Sequence, residues 1–341
     1  MPLSRNYSRI WISLAIVLIA VIFISLSFGA IFISTREIFS SLSNYFYGEP
    51  LSLGERIFLN IRLPRAINCL LVGSSLAMAG VLMQALFRNP IVEPGLIGTS
   101  SGAAFGASLY FVLGATLHFN AGVWTLPIAA SAGGALATFI VFLLSYRKEG
   151  AQSVISLLLT GIAINALCLS GVGLMSYLAR DPQARSITFW NLGTMSGSNW
   201  NSVIIIGTST LLCLVFALRS TKSLNALAMG ESEALHLGVN INKLKISVIA
   251  ITVVLVAVAT AFVGVISFVG LIVPHLLRLI RGSDNRYLLL GSAMLGGVLV
   301  SIADLTARLL LSPAELPIGI VTSVIGVPVF ILLLRRNQHY F

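Results

Sequence analysis

The stretch RSTKSLNALAMGESEALHLGVNINKLK, Arg219 to Lys245, interrupts a chain that is otherwise almost continuously apolar. Runs of about 20 apolar residues cross the hydrocarbon core of a bilayer, and such runs flank this stretch on both sides. It therefore lies at a membrane face. Its Arg219, Lys222, Lys243 and Lys245 put that face in the cytoplasm, because cytoplasmic loops carry an excess of Lys and Arg. Gly230 is a poor helix residue and divides the stretch into two short helical pieces, Leu224 to Met229 and Glu231 to Leu237. Glu231 and Glu233 fall in the first turn of the second piece, where the helix dipole favours anions, and Gly238 supplies a C-terminal stop. Two readings stand at this point: a docking element for a soluble partner, or an ordinary amphipathic interfacial loop.

Outward from that insert, the composition leaves little room for a soluble domain. The 341 residues are 57% hydrophobic and only 9% charged, with a mean hydropathy of +0.97, which is the profile of a polytopic helical membrane protein. The net charge of +10 would suggest nucleic acid in a soluble chain. Here the bases stand in ones to threes between apolar runs, the pattern of membrane topology, so nucleic acid is not an expected partner. Cys69, Cys168 and Cys213 lie inside apolar runs without CxxC or Cys/His spacing and read as small core residues. His118, His236, His275 and His339 are scattered singly, and none is assigned to a metal. Ile10 to Ile33, preceded by Arg5 and Arg9, is too long for a signal peptide's apolar region and lacks a small-residue cleavage site. It reads as an uncleaved first span with its N-terminus inside.

Ten spans follow, at 10–33, 64–87, 95–114, 122–146, 152–178, 199–218, 244–264, 268–281, 287–309 and 317–335, with both termini cytoplasmic. The eighth, VGLIVPHLLRLIRG, is short and carries Pro274, His275 and Arg278. A half-span packed among the others accommodates it, since irregular backbone at membrane depth must be buried in protein or line a cavity. The topology places fourteen bases inside: Arg5, Arg9, Arg88, Arg147, Lys148, Arg219, Lys222, Lys243, Lys245, Arg278, Arg281, Arg286, Arg335 and Arg336. The seven outside are Arg36, Arg56, Arg62, Arg65, Arg180, Arg185 and Arg308, a two-to-one bias in the expected direction. Close glycines such as Gly102 and Gly106, Gly133 and Gly134, and Gly296 and Gly297 permit near approach of helix backbones in lipid. No soluble domain or direct repeat interrupts the pattern, so the expected organisation is one all-α membrane domain over residues 1–341.

No GxxxxGK[ST] phosphate loop occurs, and no carboxylate pair or nucleophile and base arrangement suggests an enzyme. If ATP powers transport here, the motor is another chain. Asp304 is the one clear intramembrane acid, and it stands four residues before Arg308, at a spacing where the two can pair. A structural ion pair and a proton-relay site of an ion-coupled secondary transporter are the two readings of Asp304. On the outer side Arg62 and Arg65 precede the second span and Arg308 ends the ninth. Guanidinium groups bind carboxylates in bidentate fashion, so the three could receive an acidic partner. Alternatively each anchors a helix end at the interface.

The segments RLPR, GVLMQALFRNPIVEPGLIG, ALAMGESEALHLGV, GVISFVGLIVPHLLRLIRG, ADLTAR and AELPIGIVTSVIGVPVF, in this order and spacing, resemble the FecCD-type permeases. These are the membrane subunits of ABC importers for iron siderophores, haem and cobalamin, and the resemblance covers about Arg62 to Arg336. It implies that Arg62, Arg65 and Arg308 receive acidic residues from a periplasmic binding protein. Gly230, Glu231, Ala234, Leu237 and Gly238 match the coupling-helix positions that sit in a cleft of the ATPase. Asn89, Pro90 and Ile91 match the cytoplasmic gate, with Ile91 replacing the family's usual leucine. The implied assembly is two permease chains, expected here as a homodimer, around one pathway in the bacterial inner membrane, with two ATPases that carry ATP and Mg below and one binding protein above. Packing then alternates between inward-open and outward-open states. No cofactor bound by this chain is expected.

Substrate is read from TGIAINALCLSGVGLMSYLARDPQARSITFWNLGTMSG, which resembles the haem-permease branch at Tyr177, Ala179, Asp181, Arg185, Phe189 and Trp190. Haem, flat and apolar with two propionates, suits a broad pathway without fixed iron ligands. The same lining would pass a siderophore or cobalamin, and both stay open beside haem, as does a purely structural membrane partner.

Overall fold

In the computed structural model the described residues, 5–29, 32–116, 122–145 and 154–336, fold as helices with no strand among them. His118, Arg147, Lys148 and His339 lie outside this set. In chain order the helices are α1 (Arg5–Ser27), α2 (Thr35–Tyr47), α3 (Leu53–Ile57), α4 (Leu63–Phe87), α5 (Thr99–Thr116), α6 (Thr125–Ser145) and α7 (Val154–Leu178). They continue with α8 (Asp181–Asn191), α9 (Trp200–Met229), α10 (Glu231–His236), α11 (Ile241–Val263), α12 (Val269–Arg281), α13 (Asn285–Leu310) and α14 (Ile318–Arg336). Among the described residues, seven helical stretches are long and apolar enough to cross a membrane, on α1, α3 to α4, α6, α7, α9, α11 and α13. The third, eighth and tenth expected spans fall on the shorter helices α5, α12 and α14.

The centre of the bundle is α4, whose apolar window is 83% buried against 17% for α1. It packs on α9, α11, α12 and α13. Association of helices in lipid rests on close packing and hydrogen bonds between them, and both are present here. A Cβ at Gly73 would run into the backbone carbonyl of Gly296, so α4 and α13 are in direct backbone contact at that crossing. Gly102 of α5 meets Gly133 of α6 in the same way. Across the α4 faces, Asn68 Nδ2 donates to Ser202 Oγ at 2.7 Å, Ser74 Oγ to the Ala293 carbonyl at 2.7 Å, and Ser75 and Thr210 share a 2.7 Å hydroxyl contact.

Helix α12 has 13 residues and spans about 20 Å, too little to cross. The backbone turning into it is irregular: Phe268 adopts φ +69°, a left-handed value unusual for a bulky residue. Side-chain hydrogen bonds satisfy it. Glu93 Oε1 accepts from the Phe268 amide at 2.9 Å, and Gln84 Nε2 donates to the Gly270 and Leu271 carbonyls at 3.3 and 3.2 Å. Arg278 then donates to Gln84 Oε1 at 3.0 Å. The half-span reading of this segment therefore has a physical basis, with the non-helical turn buried in protein.

Three elements differ from the expectation. The expected helical piece Leu224 to Met229 is not separate: α9 runs unbroken from Trp200 to Met229, eleven residues past the expected end of the sixth span. Nothing between Arg219 and Gly230 stops a helix, and polarity alone does not. Residues 34–60, outside every expected span, are helical in part, because Ser34 and Glu37, and again Ser52 and Glu55, form reciprocal capping boxes that start α2 and α3. Finally, α8 is an outer helix begun by Pro182 in its first turn, where proline's fixed φ is already helical.

Candidate functional site

At the end of the bundle expected to face outward, α1, α4 and α13 bring the three predicted arginines together. Arg62 ends a π-helical turn, Phe58–Arg62, that runs into α4. It is 7% exposed and donates to the Leu26 and Ser27 carbonyls at 2.8 and 3.0 Å. Arg308 donates to Ser25 Oγ at 2.8 Å and to the Ser25 and Phe28 carbonyls at 3.2 Å. Two guanidiniums thus cap the last carbonyls of α1, where the helix dipole is negative. Gly29 admits them, since a Cβ there would lie 2.8 Å from Arg62 Nη2 and 3.3 Å from Arg308 Nη1.

Asp304 sits between Arg65 and Arg308. Its Oδ1 accepts from Arg65 Nε and Nη2 at 3.0 and 2.9 Å, and its Oδ2 lies 3.0 Å from Arg308 Nε, an ion pair outside hydrogen-bond angles. Arg65 also makes a two-pronged contact with Glu315, both bonds at 2.9 Å. The side chains of Arg65, Arg308 and Asp304 are 12%, 8% and 1% exposed, whereas that of Glu315 is 42% exposed. Three guanidiniums against two carboxylates leave the cluster one positive charge in excess. The expected pair Asp304–Arg308 is present. Glu315 was not expected as a site residue: it lies in the AELPIG segment, 250 positions from Arg65, and no sequence spacing reports such a contact.

At the end expected to face the cytoplasm, α10 hangs between α9 and α11. Gly230 takes φ +139° and ψ 155°, a conformation essentially confined to glycine, and Glu233 Oε2 occupies the space a Cβ would fill. Glu231 is tied back to Lys245 of α11 at 3.2 Å, and Lys245 is 3% exposed. Ala234 is fully buried and seats α10 on the bundle. Leu237 is 63% exposed, and Gly238, at φ +77°, has open space for 4 Å around the point where a Cβ would stand. Met229 and Leu235, 69% and 59% exposed, join Leu237 in an uncovered apolar tip. Of the five predicted coupling residues, then, Glu231 and Ala234 hold the element in place, Gly230 shapes it, and Leu237 and Gly238 present it. Hydrogen bonding to Ser232, with a smaller contribution from the charge of Arg88, holds the Glu233 carboxyl below the usual range.

Asn89, Pro90 and Ile91 follow α4 as a tight turn closed by Asn89 Oδ1 accepting from the Ile91 amide at 2.9 Å. Arg88, at φ +50°, ends α4 just before it. All three gate candidates are partly buried. The substrate candidates are on α7 and α8. Asp181, Ala184, Arg185, Thr188 and Phe189 line one open space of about 970 Å³ on the outer side, Tyr177 is 86% exposed at the end of α7, and Trp190 is 8% exposed and packs inward.

These features define a multi-pass permease of the inner membrane, a transport subunit and not an enzyme. The FecCD transport family matches residues 17–336, and the chain belongs to that family. It is similar to the hemin transport system permease protein HmuU of Yersinia pestis, 36% identical over 336 residues and 98% of each chain. It is also similar to the vitamin B12 import system permease protein BtuC of Pectobacterium atrosepticum, 40% identical over 278 residues and 82% of each chain. Among solved structures, a metal-chelate type ABC transporter in an inward-facing conformation matches with a TM-score of 0.84 at 32% identity, covering 96% of this chain and 99% of that one. The chain is thus an ABC importer permease, and the ATPase is a separate subunit.

Proposed function

We propose that this permease carries haem from a periplasmic binding protein to the cytoplasm. The observation that carries the reading is the exposed outer face of α8, where Arg185 and Phe189 border the same open space with Tyr177 close in sequence. Aromatic faces and a guanidinium suit a flat apolar macrocycle with propionates. A hemin permease similar over 98% of both chains supports the same choice. Two copies of the chain surround the pathway in this reading, with α7 among the surfaces facing the partner copy. That helix is only 17% buried within one copy and exposes Leu159, Ile162, Leu167 and Leu174, a face on which a second copy would pack. Both termini are cytoplasmic, the exposed tip of α10 enters the cleft of an ATPase loaded with ATP and Mg, and Asn89, Pro90 and Ile91 close the inner end. Carboxylates of the binding protein reach Arg62, Arg65 and Arg308 at the outer end.

The ion-coupled alternative loses its site, because both oxygens of Asp304 are engaged by arginines. Reconstitution with the ATPase and binding protein in liposomes tests the proposal: haem accumulates inside and stimulates ATP turnover. If a siderophore or cobalamin enters while haem neither enters nor stimulates, the substrate assignment fails.

A further inference from the structure

Asn225 lies in the last two turns of α9, one and a half turns before the coupling helix α10. Its Oδ1 accepts from both the backbone amide and Nδ2 of Asn285, at 2.9 and 2.8 Å. A backbone N–H can only donate, so the orientation of the side chain is fixed and Nδ2 is left to donate to Asp284 Oδ2 at 3.0 Å. Asp284 in turn caps α13, with Oδ1 accepting from the Arg286 and Tyr287 amides at 3.0 Å. One side chain therefore clamps the end of α9 to the first residues of α13.

Helix α13 continues from there without proline to Asp304 and Arg308 at the outer face, a rise of about 28 Å between Asn285 and Asp304. Backbone contact between Gly296 and Gly73 holds it against α4, the helix whose first turn carries Arg65. A single rigid element thus has the Asn225 clamp at one end and the arginine cluster at the other. Coupling between distant sites needs such a physically continuous element, with both sites acting on it.

We infer that Asn225 is a positioning residue of transport: the joint that passes movement of α10 into α13 and so to the Asp304–Arg65 pair. The inference rests on α10 being the ATPase contact. Asn225 is not among the residues proposed to meet the ATPase or the binding protein.

The test uses the full permease with its ATPase and binding protein in liposomes. Asn225→Ala is expected to leave ATPase co-purification and basal ATP turnover unchanged, and to cut the stimulation by binding protein on the order of tenfold. Asn225→Asp removes the donor and sets a carboxylate against Asp284, with a comparable loss. The swap N225D/D284N restores every bond, since the amide at 284 donates to the carboxylate at 225 and still caps α13. Stimulation is expected to return to within about twofold of wild type. Undiminished stimulation in Asn225→Ala, or a swap no better than the single variants, overturns the joint. Loss of the ATPase on purification of Asn225→Ala overturns it too, by making Asn225 part of docking. The docking premise fails separately, if Glu231→Lys and Gly238→Trp both keep ATPase association and coupled uptake.

Discussion

The two polar ends of this permease are built on opposite plans. At the end expected to face outward every predicted arginine already has partners within the chain: Arg62 and Arg308 at the carbonyls ending α1, Arg65 at Asp304 and Glu315. At the end expected to face the cytoplasm the root of α10 is tied down, through Lys245–Glu231 and buried Ala234, while Met229, Leu235 and Leu237 stand uncovered. If a binding protein docks there as proposed, it exchanges with contacts the chain makes to itself, and Glu315, the most exposed member, is the first to be displaced. The proposed inner partner needs only to cover what is already presented. The first arrangement favours exchange of carboxylates, a reversible and salt-sensitive contact, and the second favours a permanent apolar seat.

The largest expected effect comes from breaking the closed end at its centre. Asp304→Ala leaves Arg65 and Arg308 confronting each other in buried surroundings, and removal of one partner from a buried ion pair costs roughly 3–5 kcal/mol. Thermal unfolding of the purified permease in detergent is expected to show that loss. A change at Asp304 within about 1 kcal/mol would mean that water reaches the cluster and that the outer end is not closed.

Next is Gly238→Trp at the open end. Nothing lies within 4 Å of a Cβ there, so the penalty at the point of attachment is that of the left-handed backbone, about 1–2 kcal/mol. The indole would instead occupy the space proposed for the ATPase. Uptake per ATP hydrolysed is expected to drop by an order of magnitude with the fold retained, read as haem accumulated against phosphate released. Unaltered uptake would show that the apolar tip is not the seat.

Glu315→Gln sharpens the contrast with less force. The Glu315 carboxylate is 42% exposed, so its loss is expected to change stability by no more than about 1 kcal/mol. It removes the internal competitor at Arg65, and binding-protein affinity is expected to rise severalfold by surface plasmon resonance on permease in nanodiscs. Weaker binding would assign Glu315 to the contact itself.

The same contrast explains what is legible in the chain and what is not. Apolar runs are local, so the all-helical membrane class, seven long apolar helical stretches and the break at Gly230 can be read directly. The Asp304–Arg308 pair is legible too, because four residues make one helical turn. Glu315 on Arg65 and Asn285 on Asn225 join residues 250 and 60 positions apart, and nothing in spacing or composition reports them. The end of α9 escapes for another reason: polarity marks where a helix leaves the membrane, not where it stops. A stop needs a residue such as Gly230, which cannot continue it. The starts of α2, α3 and α8 do carry signals, in Ser34–Glu37, Ser52–Glu55 and Pro182, but they sit between spans, where apolar periodicity gives no support.

The smallest effect concerns Glu233, the acid that fills the space beside Gly230. Ser232 Oγ donates to its Oε2 at 2.7 Å, and that bond is the main reason its carboxyl is held below the ordinary value of 4.5, with the charge of Arg88 contributing less. A carboxyl depressed on folding adds stability that is present above its unfolded pKa and is lost as pH falls through the lower, folded value. The coupling element is therefore expected to hold its shape through pH 4.5 and to loosen only below it. Carboxyl carbon NMR of glutamate-labelled permease can follow this residue. Ser232→Ala is expected to move the titration upward more than Arg88→Gln does. The reverse order would mean that α10 is held by charge across to the end of α4 and not by its own hydrogen bonds, and the cytoplasmic element would then be less independent of the bundle than its exposure suggests.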